Sequence, residues 1–347
     1  MRLLDSLFIF FPLSFLFAYL GVDPIVIFIS SLLAILPLAA KIGEATEELA
    51  KVYGGHIGGL LNATFGNSAE LIIAVLAINK GLIDLVKASL AGSIIGNLLF
   101  VLGLSIFLGG LKFKEMKLST NVSGLNSTML LIAFMSIMIP SMFHFIPVEH
   151  WGNDEKILSL VVSVLLISTY LLSMIFSLKT HAYLFRTKEH NEKPKWSKNY
   201  SIMILAVSTV LLALVSEVFV SQIEHVAQNF NLSDLFMGAI IIAVVGNAAE
   251  HLAAIFFALK NNLDLSVNVT VGSSLQIAMF VAPIAVLFAF FIGQPMDLVF
   301  TPFEIIAVFA SVLIVNEITT DGKCNWFEGA QLLVMYLIIC ALFYFVR

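Results

Sequence analysis

Two glutamates, Glu70 and Glu250, are the residues of this sequence whose type and surroundings point most directly to chemistry. Each ends a Gly-Asn-x-Ala-Glu pentapeptide within an apolar stretch. An ionisable side chain inside a membrane-spanning helix is costly, so it is a functional candidate by default. The asparagine of each pentapeptide, Asn67 or Asn247, precedes its glutamate by three residues and would share its helix face. The glycine before it weakens the helix and would let backbone carbonyls turn towards a cavity.

Polar residues recur in the segments that follow the pentapeptides: Ser93 and Asn97 in the first half, Ser273 and Gln276 in the second. Their spacing again places each pair on one helix face. Carboxylates, amide oxygens and hydroxyls suit Ca²⁺, which takes about 6–8 oxygen ligands in irregular geometry. The sequence has no His/Cys cluster of the kind that Zn²⁺ or Cu⁺ prefers. The alternative is that these side chains only hold helices together by hydrogen bonds.

The composition predicts that membrane helices position these residues. Of the 347 residues, 60% are hydrophobic and 12% are charged, about half the charge density of soluble domains. Apolar runs of about 20 residues predict an all-α membrane protein with about eleven transmembrane helices. They lie near 6–20, 25–50, 57–79, 85–109, 124–146, 156–178, 200–222, 234–259, 265–292, 299–317 and 326–346. The first is expected to be a retained helix rather than a cleaved signal.

An internal repeat relates the two halves. The stretches that begin at Gly66 and Gly246 superimpose without a gap at an offset of 180 residues, which aligns Glu70 with Glu250. The same offset aligns Lys80 with Lys260, Asp84 with Asp264, Gly92 with Gly272, Ser93 with Ser273, and Phe100 with Phe280. About five helices in each half would invert the second copy and bring both pentapeptides to the membrane midplane. We predict an N-terminal helix (1–22), a first repeat (23–178), a basic loop (179–199) and an inverted second repeat (200–347).

The loop Lys179–Lys198 carries six Lys and Arg residues, the largest group of them in any connecting segment. Because Lys and Arg are enriched in cytoplasmic loops, we expect this loop inside, with the N-terminus inside and the C-terminus outside. No transit peptide or long regulatory tail is visible. A prokaryotic plasma membrane is therefore the default expectation, and a vacuolar membrane is the alternative.

Five stretches (58–72, 92–104, 244–255, 272–283 and 321–329) resemble the Ca²⁺/H⁺ exchanger (CAX) family of the calcium/cation antiporter superfamily. They include GGLLNATFGNSAELI and VVGNAAEHLAAI. The resemblance implies an eleven-helix antiporter that exchanges Ca²⁺ for H⁺ by alternating access, with Glu70 and Glu250 binding Ca²⁺ or protons competitively. Asn67, Asn247, Ser93, Ser273 and Gln276 would line the same site, to which the spacing argument adds Asn97. His251 matches a family histidine and is expected to take part in proton coupling.

Other ionisable residues have weaker assignments. Glu44, Glu47 and Glu48 on the second segment and Glu217 on the seventh lie on helices that slide or rock in the resembled family. Their acids are expected to bind ions at the mouth, or simply to face water at a helix end. We further expect Glu304 and Glu317 at solvated helix ends and His56 at a polar helix interface. Capping of the last helix is the expected role of Asp321, Asn325, Trp326 and Glu328.

Three other functions fit the sequence less well than Ca²⁺/H⁺ exchange. Na⁺/Ca²⁺ exchange on the same fold would favour extra anionic ligands, whereas Asn97 and Gln276 are neutral, which favours H⁺. An intramembrane hydrolase needs an activated nucleophile or a metal centre, and no H-E-x-x-H motif is present. A passive channel fits poorly with inverted repeats. We therefore expect no enzyme and no cofactor. Ca²⁺, H⁺ and the lipid bilayer are the expected partners, without nucleic acid, and a homo-oligomer stays open.

Overall fold

The computed structural model describes residues 2–53, 61, 64–145, 154–181 and 194–346. His56 and residues 182–193 of the basic loop lie outside the described residues. A short helix, Arg2–Asp5, and a 3₁₀ turn, Ser6–Ile9, open the chain. The main helices are α1 (Phe10–Leu20), α2 (Pro24–Tyr53), α3 (Ser68–Asn79), α4 (Ile83–Phe113), α5 (Thr120–His144), α6 (Asp154–Ile175), α7 (Lys198–Phe230), α8 (Asp234–Gly246), α9 (Ala248–Leu259), α10 (Leu263–Phe291), α11 (Pro302–Thr320) and α12 (Trp326–Phe345).

Eight helices of the described chain are long and apolar enough to cross a membrane: α2, α4, α5, α6, α7, α10, α11 and α12. Helices α8 and α9 also qualify when taken together, and they are bent by 62° at the break between them, which raises the number to nine. Two further apolar helices, Ser6–Leu20 and Ser68–Asn79, are shorter than a full span. The predicted all-α class is confirmed, and the number eleven stays a prediction.

The repeated sequence forms repeated local structure. Helices α3 and α9 each have 12 residues and begin 180 positions apart. Helices α4 and α10 also begin 180 positions apart. Each of these two contains a π-helical segment at the matching place, Gly96–Val101 and Ile277–Val281. The inverted arrangement and the predicted domain boundaries stay predictions.

The helices pack as two compact units, and each takes helices from both predicted repeats. The first comprises Met1–Lys80 with Leu172–Leu232, in which α2 and α7 pack side by side. The rings of Phe28 and Phe219 stack there with centroids 4.7 Å apart. The second unit comprises Gly81–Leu171 with Ser233–Arg347.

Glycines set the closest helix contacts of the second unit. A Cβ atom at Gly92 of α4 would lie 2.1 Å from the backbone oxygen of Ala239, and one at Gly238 would lie 2.5 Å from that of Leu85. Real Cβ atoms do not approach backbone this closely, so both positions require glycine. Helix α8 is thereby fixed against α4. Two short antiparallel strands, β1 (Glu115–Lys117) and β2 (Lys323–Asn325), join the loops after α4 and before α12.

Helix ends test three of the weaker assignments. Asn325 and Glu328 form a capping box at the start of α12, as predicted. Asp321 and Trp326 are not part of this box, because Asp321 accepts a hydrogen bond from the Lys323 backbone nitrogen and Trp326 is the first residue of the helix. Glu317 is exposed, also as predicted. The expectation for Glu304 was wrong, because this residue is 3% exposed. Its carboxylate accepts hydrogen bonds from the backbone nitrogen and the hydroxyl of Thr301, both at 2.8 Å, and these donors compensate its burial.

Candidate functional site

The two predicted glutamates occupy the same position in matching helices. Asn67 and Asn247 each precede a helix start with similar backbone angles, φ −102° and ψ 33° against φ −94° and ψ 9°. Glu70 and Glu250 follow as the third residue of α3 and α9. The first turn of a helix presents unpaired N–H groups and the positive end of its dipole, which stabilise a carboxylate.

Glu70 is a deeply buried acid of the first unit. It is 5% exposed, and neither carboxylate oxygen has a hydrogen-bond partner among the described residues. Asn67 beside it is also buried. Polar groups buried in this way are normally paired, and an unpaired buried charge costs several kcal/mol. A carboxylate in this position requires a proton or a cation.

Asn247 lies at the break between α8 and α9 in the second unit and is fully buried. Its side-chain nitrogen donates to the backbone oxygen of Ala243 at 2.9 Å and to the hydroxyl of Ser93 at 2.9 Å. The side chain therefore bonds to the last turn of α8 and to α4 at the point where the helix is interrupted. The glycine of the pentapeptide was expected to weaken the helix, and the interruption lies directly after it.

Asn97 connects the same break to two other helices. It lies in the π-helical segment of α4 and is 1% exposed. Its nitrogen donates to the side-chain oxygen of Asn247 at 3.3 Å and to the hydroxyl of Ser273 at 3.1 Å. Ser273 in turn donates to the Asn247 oxygen at 3.4 Å. These side chains do hold helices together, which was the alternative interpretation. The same oxygens and hydroxyls are also the groups that a hard cation prefers.

His251 completes this network. Its Nε2 lies 3.2 Å from the side-chain oxygen of Asn97, and its ring meets the edge of Phe100. Five predicted residues are thus brought together in the second unit: Ser93, Asn97, Asn247, His251 and Ser273. Glu250 and Gln276 belong to the same unit and are half-buried. Glu70 and Asn67 belong to the first unit and are described there by themselves.

Two aromatic pairs were not predicted from the sequence: one lies beside His251, and the other occupies the corresponding place in the second repeat. Phe100 stacks on Tyr336 with centroids 5.1 Å apart, and Phe280 lies 5.7 Å from Tyr170. The alignment of Phe100 with Phe280 in the repeat was a usable signal for the phenylalanines. Each tyrosine comes from the last helix of the other repeat, so no local pattern could have identified it.

The acids predicted to gate ion access lie in the first unit, and three of them are paired with lysines. Glu44 bonds to Lys41 at 2.8 Å, and Glu47 to Lys51 at 2.7 Å. Glu217 on α7 is exposed. A role of these acids in gating stays a prediction.

Glu48 differs from the other acids of α2 because it is buried. Its carboxylate lies 2.9 Å from Lys51 and accepts hydrogen bonds from the backbone nitrogens of Lys195 and Trp196. The two nitrogens belong to the segment that leads into α7. Glu48 thus joins the end of α2 to the start of α7.

Known proteins resemble the chain over nearly its whole length. The sequence profile of the family described as "Sodium/calcium exchanger protein" matches residues 24–179 and 200–345. A protein of Aphanothece halophytica named Ca²⁺/H⁺ antiporter is 44% identical over 98% of this chain and 95% of its own length. A Synechocystis protein of the same name is 44% identical over 98% and 96%. The solved structure of native YfkE superimposes with a TM-score of 0.86 at 39% identity, covering 98% of this chain and 99% of YfkE.

Proposed function

Because the chain belongs to the sodium/calcium exchanger protein family, we propose that it exchanges Ca²⁺ for H⁺ across a membrane by alternating access. It is an integral multi-pass membrane protein of a family of exchangers. The relatives that are 44% identical over nearly full length are named Ca²⁺/H⁺ antiporters, which supports this pair of ions. Ca²⁺ and H⁺ are then transported substrates, and neither an enzymatic reaction nor a cofactor is required.

The observation that carries the proposal is the buried carboxylate of Glu70 at the first turn of α3, which has no hydrogen-bond partner among the described residues. Glu250 takes the same place in α9, and the internal repeat relates the two residues. A buried acid without a hydrogen-bond donor is stable when it is protonated or when it binds a cation. Glu70 and Glu250, accepting either protons or one Ca²⁺, would couple the two ions with no further charged group.

Neutral oxygens complete the proposed Ca²⁺ site. Two glutamates do not satisfy the 6–8 ligands that Ca²⁺ takes. We assign the neutral positions to the remaining predicted residues, namely Asn67, Asn97, Asn247, Ser93, Ser273 and Gln276. His251 would act on proton coupling through its contact with Asn97.

Na⁺/Ca²⁺ exchange is the second candidate, since the family description names it. Several Na⁺ ions would favour additional anionic or small hydroxyl ligands. Asn97 and Gln276 are neutral at the positions where the second helices of the repeats face the site. Their neutrality and the names of the 44% identical relatives favour H⁺.

The test is Ca²⁺ uptake into proteoliposomes that contain the purified protein. We expect uptake when a pH gradient is imposed and none when an equal Na⁺ gradient is imposed at constant pH. Uptake driven by Na⁺ alone would establish the second candidate. Ca²⁺ uptake that follows only the Ca²⁺ gradient, with no movement of H⁺ or Na⁺, would instead indicate a passive channel.

The orientation and membrane are also part of the proposal. The basic loop would face the cytoplasm, with the N-terminus inside and the C-terminus outside. The bacterial relatives support a prokaryotic plasma membrane. A homo-oligomer is compatible with this function and is not required by it.

A further inference from the structure

We infer that His251 is a positioning residue that holds the amide oxygen of Asn97 away from the transported cation and so limits how tightly Ca²⁺ is bound. The inference rests on the proposed function and extends it to a residue that would not itself contact the ion. It follows from the direction of each hydrogen bond in the network around the helix break.

The side chain of Asn247 has no spare hydrogen-bonding capacity in this network. Both of its N–H groups are used, one by the Ala243 carbonyl and one by the Ser93 hydroxyl. Its oxygen receives hydrogen bonds from the amide of Asn97 and from the hydroxyl of Ser273. An ion that takes this oxygen as a ligand must therefore displace a donor.

The orientation of Asn97 is set by Asn247, whose amide is oriented by the Ala243 carbonyl, and His251 reinforces it. The two N–H groups of Asn97 point to Asn247 and Ser273, which leaves its oxygen facing Nε2 of His251 at 3.2 Å. An amide oxygen only accepts hydrogen bonds, so Nε2 of His251 must carry the proton. If the Asn97 amide turned over, its N–H would face the N–H of His251, and its oxygen would face the oxygen of Asn247. Both contacts would be repulsive.

A cation at this place would favour the opposite orientation of Asn97. Positive charge repels the N–H groups that now point at Asn247 and attracts the amide oxygen that points at His251. The N–H of His251 opposes that rotation, because turning the amide over leaves two donors facing each other in a buried place. Asn97 can then bind Ca²⁺ through its oxygen only at the cost of that rotation, and Ca²⁺ is held loosely enough to be released on the far side. His251 would thus favour turnover at the expense of affinity.

The test separates affinity from turnover in proteoliposomes under a pH gradient. His251→Leu removes the donor at similar size and should lower both the KM for Ca²⁺ and the maximal rate, each by about tenfold, the effect of one buried hydrogen bond. His251→Gln keeps an N–H at the position of Nε2 and should restore wild-type values. In an Asn97→Leu background, His251→Leu should add nothing, because Asn97 is the residue through which His251 acts.

The outcomes distinguish this inference from the proposed function. A KM that rises in His251→Leu, or an equal effect of His251→Leu with and without Asn97, would overturn the positioning role while Ca²⁺/H⁺ exchange stands. If His251→Leu does not fold, His251→Met repeats the measurement. If both fail to fold while His251→Gln folds, the side chain is only a structural requirement and the inference is wrong. Absence of exchange by the wild-type protein would instead reject the proposed function.

Discussion

The side-chain nitrogen of Asn97 lies 3.3 Å from the side-chain oxygen of Asn247, although the two residues are 150 positions apart in the chain. Both are at most 1% exposed, and each comes from a different predicted repeat. The hydrogen bond ties the π-helical segment of α4 to the break between α8 and α9. The amides of Asn97 and Asn247 are therefore already held in place, and in the proposed site the charge that attracts a cation comes from the glutamates.

Removing either charge should stop transport. We expect Glu70→Gln and Glu250→Gln each to abolish Ca²⁺ uptake while the protein stays folded. Glutamine keeps the size and the hydrogen-bonding groups, but it supplies no charge to a divalent ion in a medium of low dielectric constant. Uptake into proteoliposomes and the thermal unfolding midpoint are the two measurements.

Glu304→Gln is the matched control for this pair. Glu304 is as deeply buried as Glu70, but its carboxylate is satisfied by Thr301. The control should retain transport. Wild-type uptake by Glu70→Gln or Glu250→Gln would remove that residue from the site, and loss of uptake in all three variants would point to a general effect of deleting buried carboxylates.

Ca²⁺ and protons should compete for the same two glutamates. Protonation removes the charge that attracts Ca²⁺, so the affinity for Ca²⁺ should fall as the pH falls, and Ca²⁺ binding should release protons. Because the two acids would share one ion, they should titrate as a coupled pair. Ca²⁺ binding to purified protein across about pH 5.5–8.5, with proton release recorded in weakly buffered solution, measures both effects. Binding that is independent of pH, with no protons released, would contradict the shared-carboxylate mechanism even if exchange is observed.

The sequence predicted the helices, the repeat and most of the polar cluster for identifiable reasons. The chemistry of Glu70, Glu250 and their asparagines is local, and a break at Asn247 follows from the glycine that precedes it. The matching spacing of Ser93 and Ser273 was also readable, because the offset of 180 residues holds without a gap. The structure places both serines in the network around Asn247.

The features that sequence reasoning missed depend on contacts between distant helices. Nothing near Glu304 indicated burial, because its burial depends on how α11 packs. The π-helical segments that contain Asn97 and Phe280 have no distinctive sequence pattern. The direction of the hydrogen bond from His251 to Asn97 likewise depends on the hydrogen bonds of Asn247 and Ser273 with Asn97, and of Asn247 with Ala243 and Ser93. These residues lie far apart in the sequence, so only the folded structure shows the direction.

The orientation in the membrane can be tested with cysteine labelling. Ser197 is a poor place for a new cysteine, because its hydroxyl accepts a hydrogen bond from the Tyr200 backbone and caps α7. Asn199 is exposed beside it, and Asn229 is exposed near the other end of the same helix. In a background without Cys324 and Cys340, we expect Asn229→Cys to react with an impermeant thiol reagent in intact cells and Asn199→Cys to react only after permeabilisation. The reverse pattern would overturn the proposed orientation.

The contact between α4 and α8 should not tolerate a side chain at Gly92. A methyl group there would lie 2.1 Å from a backbone oxygen, which cannot move aside as a flexible side chain could. We expect Gly92→Ala to lower the thermal unfolding midpoint sharply or to prevent recovery of folded protein. Gly43→Ala in α2 is the control, since no described atom lies within 4 Å of its new Cβ and alanine favours a helix by about 1 kcal/mol. Equal midpoints for the two variants would show that α4 and α8 do not meet as described.

Glu48 should stabilise the protein, whereas its neighbour Glu47 should not. Glu48→Ala leaves the backbone nitrogens of Lys195 and Trp196 without their acceptor, at a cost of about 1–3 kcal/mol for a buried donor. Glu47 also pairs with Lys51, but its side chain is 68% exposed, and exposed ion pairs contribute little. We therefore expect the unfolding midpoint to fall in Glu48→Ala and to change little in Glu47→Ala, with transport measured below both midpoints. If Glu48 instead binds ions at the mouth, Glu48→Ala will raise the KM for Ca²⁺ without changing the midpoint. That result would show that Glu48 acts in gating, as predicted from the sequence, and that its contact with α7 does not stabilise the protein.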